Sequence, residues 1–183
     1  MNTTKIKYCN NNGFLIKNDR SKYTLLKKIN AIWGDNILND SYKVYSERTA
    51  HSIKNTNTVA TYISIGKPCI IFLTRISGEN VTLIIEKNIK DNNIYPKIIV
   101  VSLHFSENLY CNTVLTAEIY KNNAEWYIII DTLLIYANKK VKYSNGNNIR
   151  MINQIVNNIK YYPIDLCKVI AKKFVSPNEV TEF

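Results

Sequence analysis

The polar and apolar positions of the chain change period twice. From Ser21 to Trp33, the apolar residues Tyr23, Leu25, Leu26, Ile29, Ile32 and Trp33 recur at helical spacing, and Gly34 follows where a helix stop is expected. The Asn-rich stretch 1–20 lacks such a period and reads as a loose arm ahead of a single domain over 21–183; Ala50 to Asn57 reads as a loop. From Val59 the pattern shortens to runs rich in Ile, Val and Tyr. These predict strands at Val59–Ile65, Cys69–Thr74, Val81–Glu86, Lys97–Leu103, Thr113–Tyr120 and Trp126–Tyr136. The separators, Gly66-Lys67-Pro68, Ser77-Gly78-Glu79, Lys90 to Asn93 and Lys121 to Ala124, contain turn-forming residues. They are too short for parallel crossovers, so neighbouring strands should be antiparallel.

After Ser144 to Asn148 the period returns to helical. Ile149, Ile152, Ile155, Val156 and Ile159 mark one face of a helix from about Asn148 to Lys160. A last strand is expected at Ile164–Val175, after Pro163. The expected class is α+β: a predominantly antiparallel sheet with a few helices.

Composition narrows this picture only a little. The 183 residues include 46% hydrophobic and 11% aromatic positions, enough for one buried core. No run approaches 18 apolar residues, and Met1 to Asn12 has no apolar stretch of the kind found in a secretory leader. An intracellular, cytoplasmic location without membrane association is therefore expected. The formal charge of +10 invites a polyanionic partner. Only Arg20, Arg48, Arg75 and Arg150 among the basic residues are arginines, so the excess is lysine in an Asn-, Ile- and Lys-rich chain. That composition suits a solvated lysine surface as well as a nucleic-acid-facing one.

Cys9, Cys69, Cys111 and Cys167 are far apart, and the only histidines are His51 and His104. Zinc sites need closely spaced ligand pairs, which this pattern lacks. Reduced, mostly buried thiols, structural histidines, and neither metal nor cofactor are expected.

Three segments carry chemistry in a definite order. Phe72 to Ile85 has a strand–turn–strand form around Arg75-Ile76-Ser77-Gly78; Thr113 to Ile119 contains Thr116-Ala117-Glu118; Trp126 to Asn138 contains Tyr127-Ile128-Ile129-Ile130-Asp131. Arg150 then opens the second helix, and Tyr161 to Ile170 follows. In this order, residues 59–175 resemble the nucleotidyltransferase domain of mRNA capping enzymes (guanylyltransferases) and their ATP-dependent ligase relatives, nearest to versions from cytoplasmic DNA viruses. The resemblance implies a nucleotidyltransferase-like core and a nucleotide pocket contributed by Arg75, Ser77, Gly78, Glu118 and Asp131.

It also implies that the pocket is a relic. The family's Lys-x-Asp-Gly lysine attacks the nucleotide α-phosphate through a deprotonated amine. Here Arg75 occupies that position and stays protonated, while Ser77 replaces the carboxylate. Glu118 and Asp131 keep their acids; Ile130 replaces a base-stacking aromatic. The family's later metal- and phosphate-gripping motifs would follow Val175, after which eight residues remain. No catalytic residue is therefore assigned.

Beside each role that the resemblance implies, the residues themselves allow a plainer one. Glu118 could contact a ribose or face solvent opposite Leu115, Ala117 and Ile119. Asp131 interrupts an apolar run and should be partly buried, in a relic pocket or a structural ion pair with Arg75 as partner. Lys139, Lys140 and Lys142, with Lys168, Lys172 and Lys173, are interleaved with Tyr136, Tyr143, Tyr161 and Tyr162. Such a surface could track an RNA backbone and stack bases, or form a solvated rim over packed tyrosines. Three functions are compatible with these readings. The first is a non-catalytic subunit or scaffold of a viral capping or transcription apparatus, with a protein partner and RNA contact. The others are half of a split guanylyltransferase or ligase, and a virion or interaction protein that binds no nucleic acid.

Overall fold

The computed structural model describes residues 2–39, 61, 66–87, 95–141 and 145–174. The expected strand Val59–Ile65, apart from Thr61, the loop Ala50 to Asn57, the separator Lys90 to Asn93, His51, Lys142 and Tyr143 lie outside the described residues. Among the described residues, nine strands form one sheet: β1 (Thr3–Tyr8), β2 (Asn11–Ile16), β3 (Lys67–Ile76), β4 (Glu79–Glu86), β5 (Ile98–Val101), β6 (Thr113–Asn122), β7 (Glu125–Tyr136), β8 (Lys139–Lys140) and β9 (Lys168–Ala171). The spatial order is β1-β2-β5-β4-β3-β6-β7-β8, with β9 also on β7.

Among the described residues, two α-helices, α1 (Asp19–Trp33) and α2 (Asn145–Asn157), accompany the sheet in an α+β architecture. No described helix is long and apolar enough to cross a membrane.

The central strands follow from their hydrophobicity. β3 and β4 are buried on both faces over Cys69–Leu73 and Leu83–Ile85, which near-continuous apolar runs require. Their side chains divide by parity between two core clusters. Ile71, Leu73, Ile84, Leu115, Ile128 and Ile130 pack on one face with Ile152, Ile155 and Ile159 of α2 and its continuation. Ile70, Phe72, Leu83 and Ile85 pack on the other with Leu25, Leu26 and Ile29 of α1. The sheet is thus covered by a helix on each side.

Helix α1 starts where Asn18 accepts a hydrogen bond from the Ser21 N–H at 3.1 Å. It stops as expected at Gly34, whose φ of 89° is readily reached only without a Cβ.

The expected antiparallel pairing holds along the main path, but β9 runs parallel to β7, matching Tyr127 with Lys168 and Ile130 with Ala171. The intervening chain carries α2, the length of connection that a parallel pair requires. This strand is also shorter than the expected Ile164–Val175.

The larger correction concerns residues 1–20, which are no loose arm. Thr3 to Ile16 is a hairpin whose second strand pairs with β5 through Phe14↔Val100 and Leu15↔Ile99. Ile16 is completely buried. Gly13 permits the approach: a Cβ there would lie 2.7 Å from a methyl of Ile99.

Strand β7 has an unusual outer edge. β9 pairs with its first half and β8 with its end. Between them, the buried Asn148 side chain accepts from Leu133 N at 3.1 Å and donates to Leu133 O at 2.9 Å. One amide thereby imitates the missing strand, satisfying a donor and an acceptor that would otherwise be buried unpaired.

Candidate functional site

Ser77 and Gly78 form the tight turn joining β3 to β4, with φ of 53° and 85°. Positive φ at both central residues is the hairpin geometry that matches strand twist. Arg75 sits beside it, its Nε donating to Asn80 Oδ1 across the strand pair at 3.1 Å. Glu118 lies opposite Pro68 on the same β3 strand. Arg75 lies seven positions along β3 from Pro68, about 23 Å of extended chain. The five residues expected to share a pocket are therefore divided between the two ends of β3.

Glu118 and Asp131 do come together. The β6–β7 register matches Thr116 with Thr132 but Ala117 with Ile130, which leaves Asp131 as the extra residue of a β-bulge. Bulges re-aim side chains. Lys172 follows β9 directly, held by its own N–H donating to Ile130 O at 2.8 Å. Its Nζ then stands 3.4 Å from Glu118 Oε1 and 3.3 Å from Asp131 Oδ1.

Lys172 and Asp131 are buried, at 7% and 8% side-chain exposure, and Glu118 is largely covered at 13%. Gly66 crosses so close to Glu118 that a Cβ there would be 2.9 Å from the Glu118 Cβ. The expected Arg75–Asp131 pair is replaced by Lys172–Asp131. Nor does Lys172 serve as a surface lysine, because two carboxylates from neighbouring strands converge on it and water is excluded.

The remaining lysines split into two groups. Lys139 and Lys140 stand at the Arg75 end of the sheet. Lys140 places Nζ 4.0 Å from the Trp33 ring centre and donates to Trp33 O at 3.1 Å, at the electronegative end of α1. A polar chain ties this corner together: Lys28 Nζ donates to Thr74 Oγ1 (2.9 Å), which donates to Asn112 Oδ1 (2.7 Å), whose amide donates to Asn138 Oδ1 (3.0 Å), next to Lys139. Lys28, Lys139 and Lys140 consequently share one surface. At the other end, Lys168 pairs with Glu125 at 3.3 Å in water, and Lys173 is exposed while its carbonyl accepts from Thr61 Oγ1 at 2.7 Å.

Sequence reasoning passed over a second constellation. Asp165 is buried and accepts from Tyr162 N (2.7 Å) and Ser102 Oγ (3.1 Å), while its Oδ1 lies 2.7 Å from His104 Nδ1. The His104 ring meets Tyr162 edge-on at 4.5 Å between centres. The partners of His104 are about 60 residues away, beyond the reach of any local motif. Nearby, Asn11 Nδ2 donates to Asp165 O at 2.7 Å, which brings the turn of the first hairpin onto the loop before β9.

All four cysteines are free, but only Cys69 is buried, against the expectation that most would be. Cys9 and Cys167 pack against the cluster containing Cys69. A hydrogen bond from Cys167 lowers the Cys9 thiol below its ordinary value, whereas burial pushes Cys69 far up.

Among the described residues, no three His, Cys, Asp or Glu side chains are grouped so as to hold a metal ion. No protein-family model matches the chain, and no curated protein matches it.

Proposed function

We propose that the chain is a non-catalytic, nucleotidyltransferase-like subunit or scaffold of a viral mRNA capping or transcription apparatus, and that it contacts RNA. The observation that carries this reading is the Lys172 ammonium between Glu118 and Asp131. In a capping-enzyme-like pocket those carboxylates would face the ribose and base, with the nucleophile beside them. Here an internal cation occupies them, and Arg75 lies at the far end of β3. Arg75 also lacks the free lone pair needed to form a phosphoramidate. The order of the resembling segments supports the same reading, since the Arg75–Gly78 hairpin, the Glu118 strand and the Asp131 strand are spatial neighbours in the sheet.

RNA contact is assigned to the corner of Lys28, Lys139 and Lys140, where cations from α1 and β8 meet. Contact there would be to phosphates, with little base preference and steep weakening by salt.

Incubating the protein with α-labelled GTP or ATP and Mg²⁺ should leave no label on the chain after denaturing electrophoresis. A lysine-linked nucleotide adduct would overturn the non-catalytic assignment. For the RNA contact, the K28E/K139E/K140E variant should bind single-stranded RNA at least tenfold more weakly in low salt and show a shallower salt slope. Unchanged affinity removes this corner from consideration.

A further inference from the structure

Four of the seven exposed large apolar side chains among the described residues (Tyr161, Tyr162, Ile164 and Ile170) fall within ten positions. Tyr161, Tyr162 and Ile170 border a groove of about 570 Å³, also lined by Trp126 and Lys168, between the loop before β9, the start of β7 and the first hairpin's turn. That is the size of a small-ligand site.

The aromatic rings are exposed yet fixed. Tyr161 is 50% exposed, but its hydroxyl donates to Val169 O at 2.9 Å and accepts from Val169 N at 3.1 Å. Tyr162 is 49% exposed, while Asp165 holds its backbone and the His104 ring flanks it. Blocking the open edge of β9 accounts for the Tyr161 hydroxyl. It does not account for Tyr162, for Trp126, or for the cations around them.

Those cations are Lys121, with Nζ 5.6 Å from the Trp126 ring centre, Lys160, next to Tyr161, and Lys168. The carboxylates nearby are Glu125, paired with Lys168, and Asp165, buried and engaged by Ser102, His104 and Tyr162. The groove thus has an aromatic wall, Lys168 in its lining, Lys121 beside its Trp126, Lys160 next to its Tyr161 in sequence, and two carboxylates that are both already engaged. On its β9 edge the Val169 N–H and C=O are taken by Tyr161.

We propose that this groove binds unpaired nucleotides of a single-stranded nucleic acid, with bases stacked on Tyr162 and Tyr161 and phosphates against Lys121, Lys160 and Lys168. Base stacking tolerates any sequence, and fixed rings avoid an ordering cost on binding. The proposal deepens the RNA-contact reading and rests on it, but assigns a second surface at the opposite end of the sheet from Lys139 and Lys140.

The test is fluorescence anisotropy of labelled ten-nucleotide RNA, the same DNA sequence and a blunt RNA duplex, titrated with the full chain. Single strands should bind more tightly than the duplex. Tyr162→Ala should weaken single-strand binding about tenfold with little change for duplex, and Tyr162→Phe should restore it. Equal affinity for RNA and DNA assigns the contact to stacking and phosphate alone; preference for RNA adds a 2′-hydroxyl contact, and both support the groove.

If Tyr162→Ala and Trp126→Ala both melt like the parent and bind single strands as the parent does, the groove is overturned and its aromatics belong to a protein contact. In that outcome, loss of binding in K28E/K139E/K140E alone leaves the phosphate-contact reading standing. Absence of binding by the parent chain overturns both.

Discussion

At the scale of single residues, two buried polar side chains do what the surrounding apolar core cannot. Lys172 offsets the burial of two carboxylates, and removing one member of such a cluster leaves charge without its partner in a water-poor site. Lys172→Met should therefore destabilise the fold by about 3 kcal/mol, read as a lowered urea midpoint with an unchanged denaturant slope. A loss below about 0.5 kcal/mol would mean that the amine is dispensable.

Asn148 is the second case. Asn148→Leu keeps much of the volume but strips the Leu133 N–H and C=O of their partners, so a loss of about 2–4 kcal/mol is expected in the same measurement. Neither role was legible in the sequence. Asp131 announced burial by interrupting an apolar run, yet nothing local identifies a partner 41 residues further along. Asn148 read as one more member of an Asn-rich turn.

At the scale of elements, what was legible is what period and punctuation encode. β3, β4, β6 and β7 were found within a few residues, because their Ile- and Val-rich runs are bounded by Ser-Gly and Asn-Asn turns. The first helix was legible from its stripe and from Gly34. The first hairpin was not, since its turn and the start of its second strand lie in an Asn run that resembles a solvated tail, and its apolar contacts are to β5, more than 80 residues away.

Gly13 offers the sharpest test that the hairpin is part of the core. Gly13→Val would drive a branched side chain into the buried Ile99 and should cost about 1–3 kcal/mol by thermal or urea unfolding. Full tolerance would show that β2 stands off from β5.

At the scale of the whole molecule, the +10 charge is not one surface. Lys172 is internal, Lys168 and Lys67 are paired with carboxylates, and the lysines assigned to nucleic-acid contact divide between two ends of the sheet, so salt dependence should be partitioned between the two corners.

The molecule also has an alkaline weakness. Burial pushes Cys69 and Cys167 above their ordinary value of 9.0, with a Cys9 hydrogen bond the larger cause at Cys167, and burial beside Glu86 pushes Tyr8 above 10.0. Raised values mean that the folded state keeps protons the unfolded chain releases. This contribution is intact below pH 9 and declines as pH climbs beyond it. The urea midpoint should hold steady from pH 7 to 8.5 and fall from pH 9 to 11. In a Cys69→Ala variant, whatever its starting stability, that fall should be shallower. A midpoint flat to pH 11 would place these groups in contact with water.

The four-residue strand β9 has a kinetic consequence. By length alone it should fray on the timescale of a loop, and its amide protons should exchange quickly with solvent. Yet undocking β9 would withdraw Lys172 from Glu118 and Asp131, so each opening carries an electrostatic cost far larger than its few backbone hydrogen bonds. The amide proton of Lys172, bonded to Ile130, should thus exchange as slowly as those of the central strands. It should exchange orders of magnitude faster in Lys172→Met, so that in the parent a short edge strand lets go no sooner than the centre of the sheet.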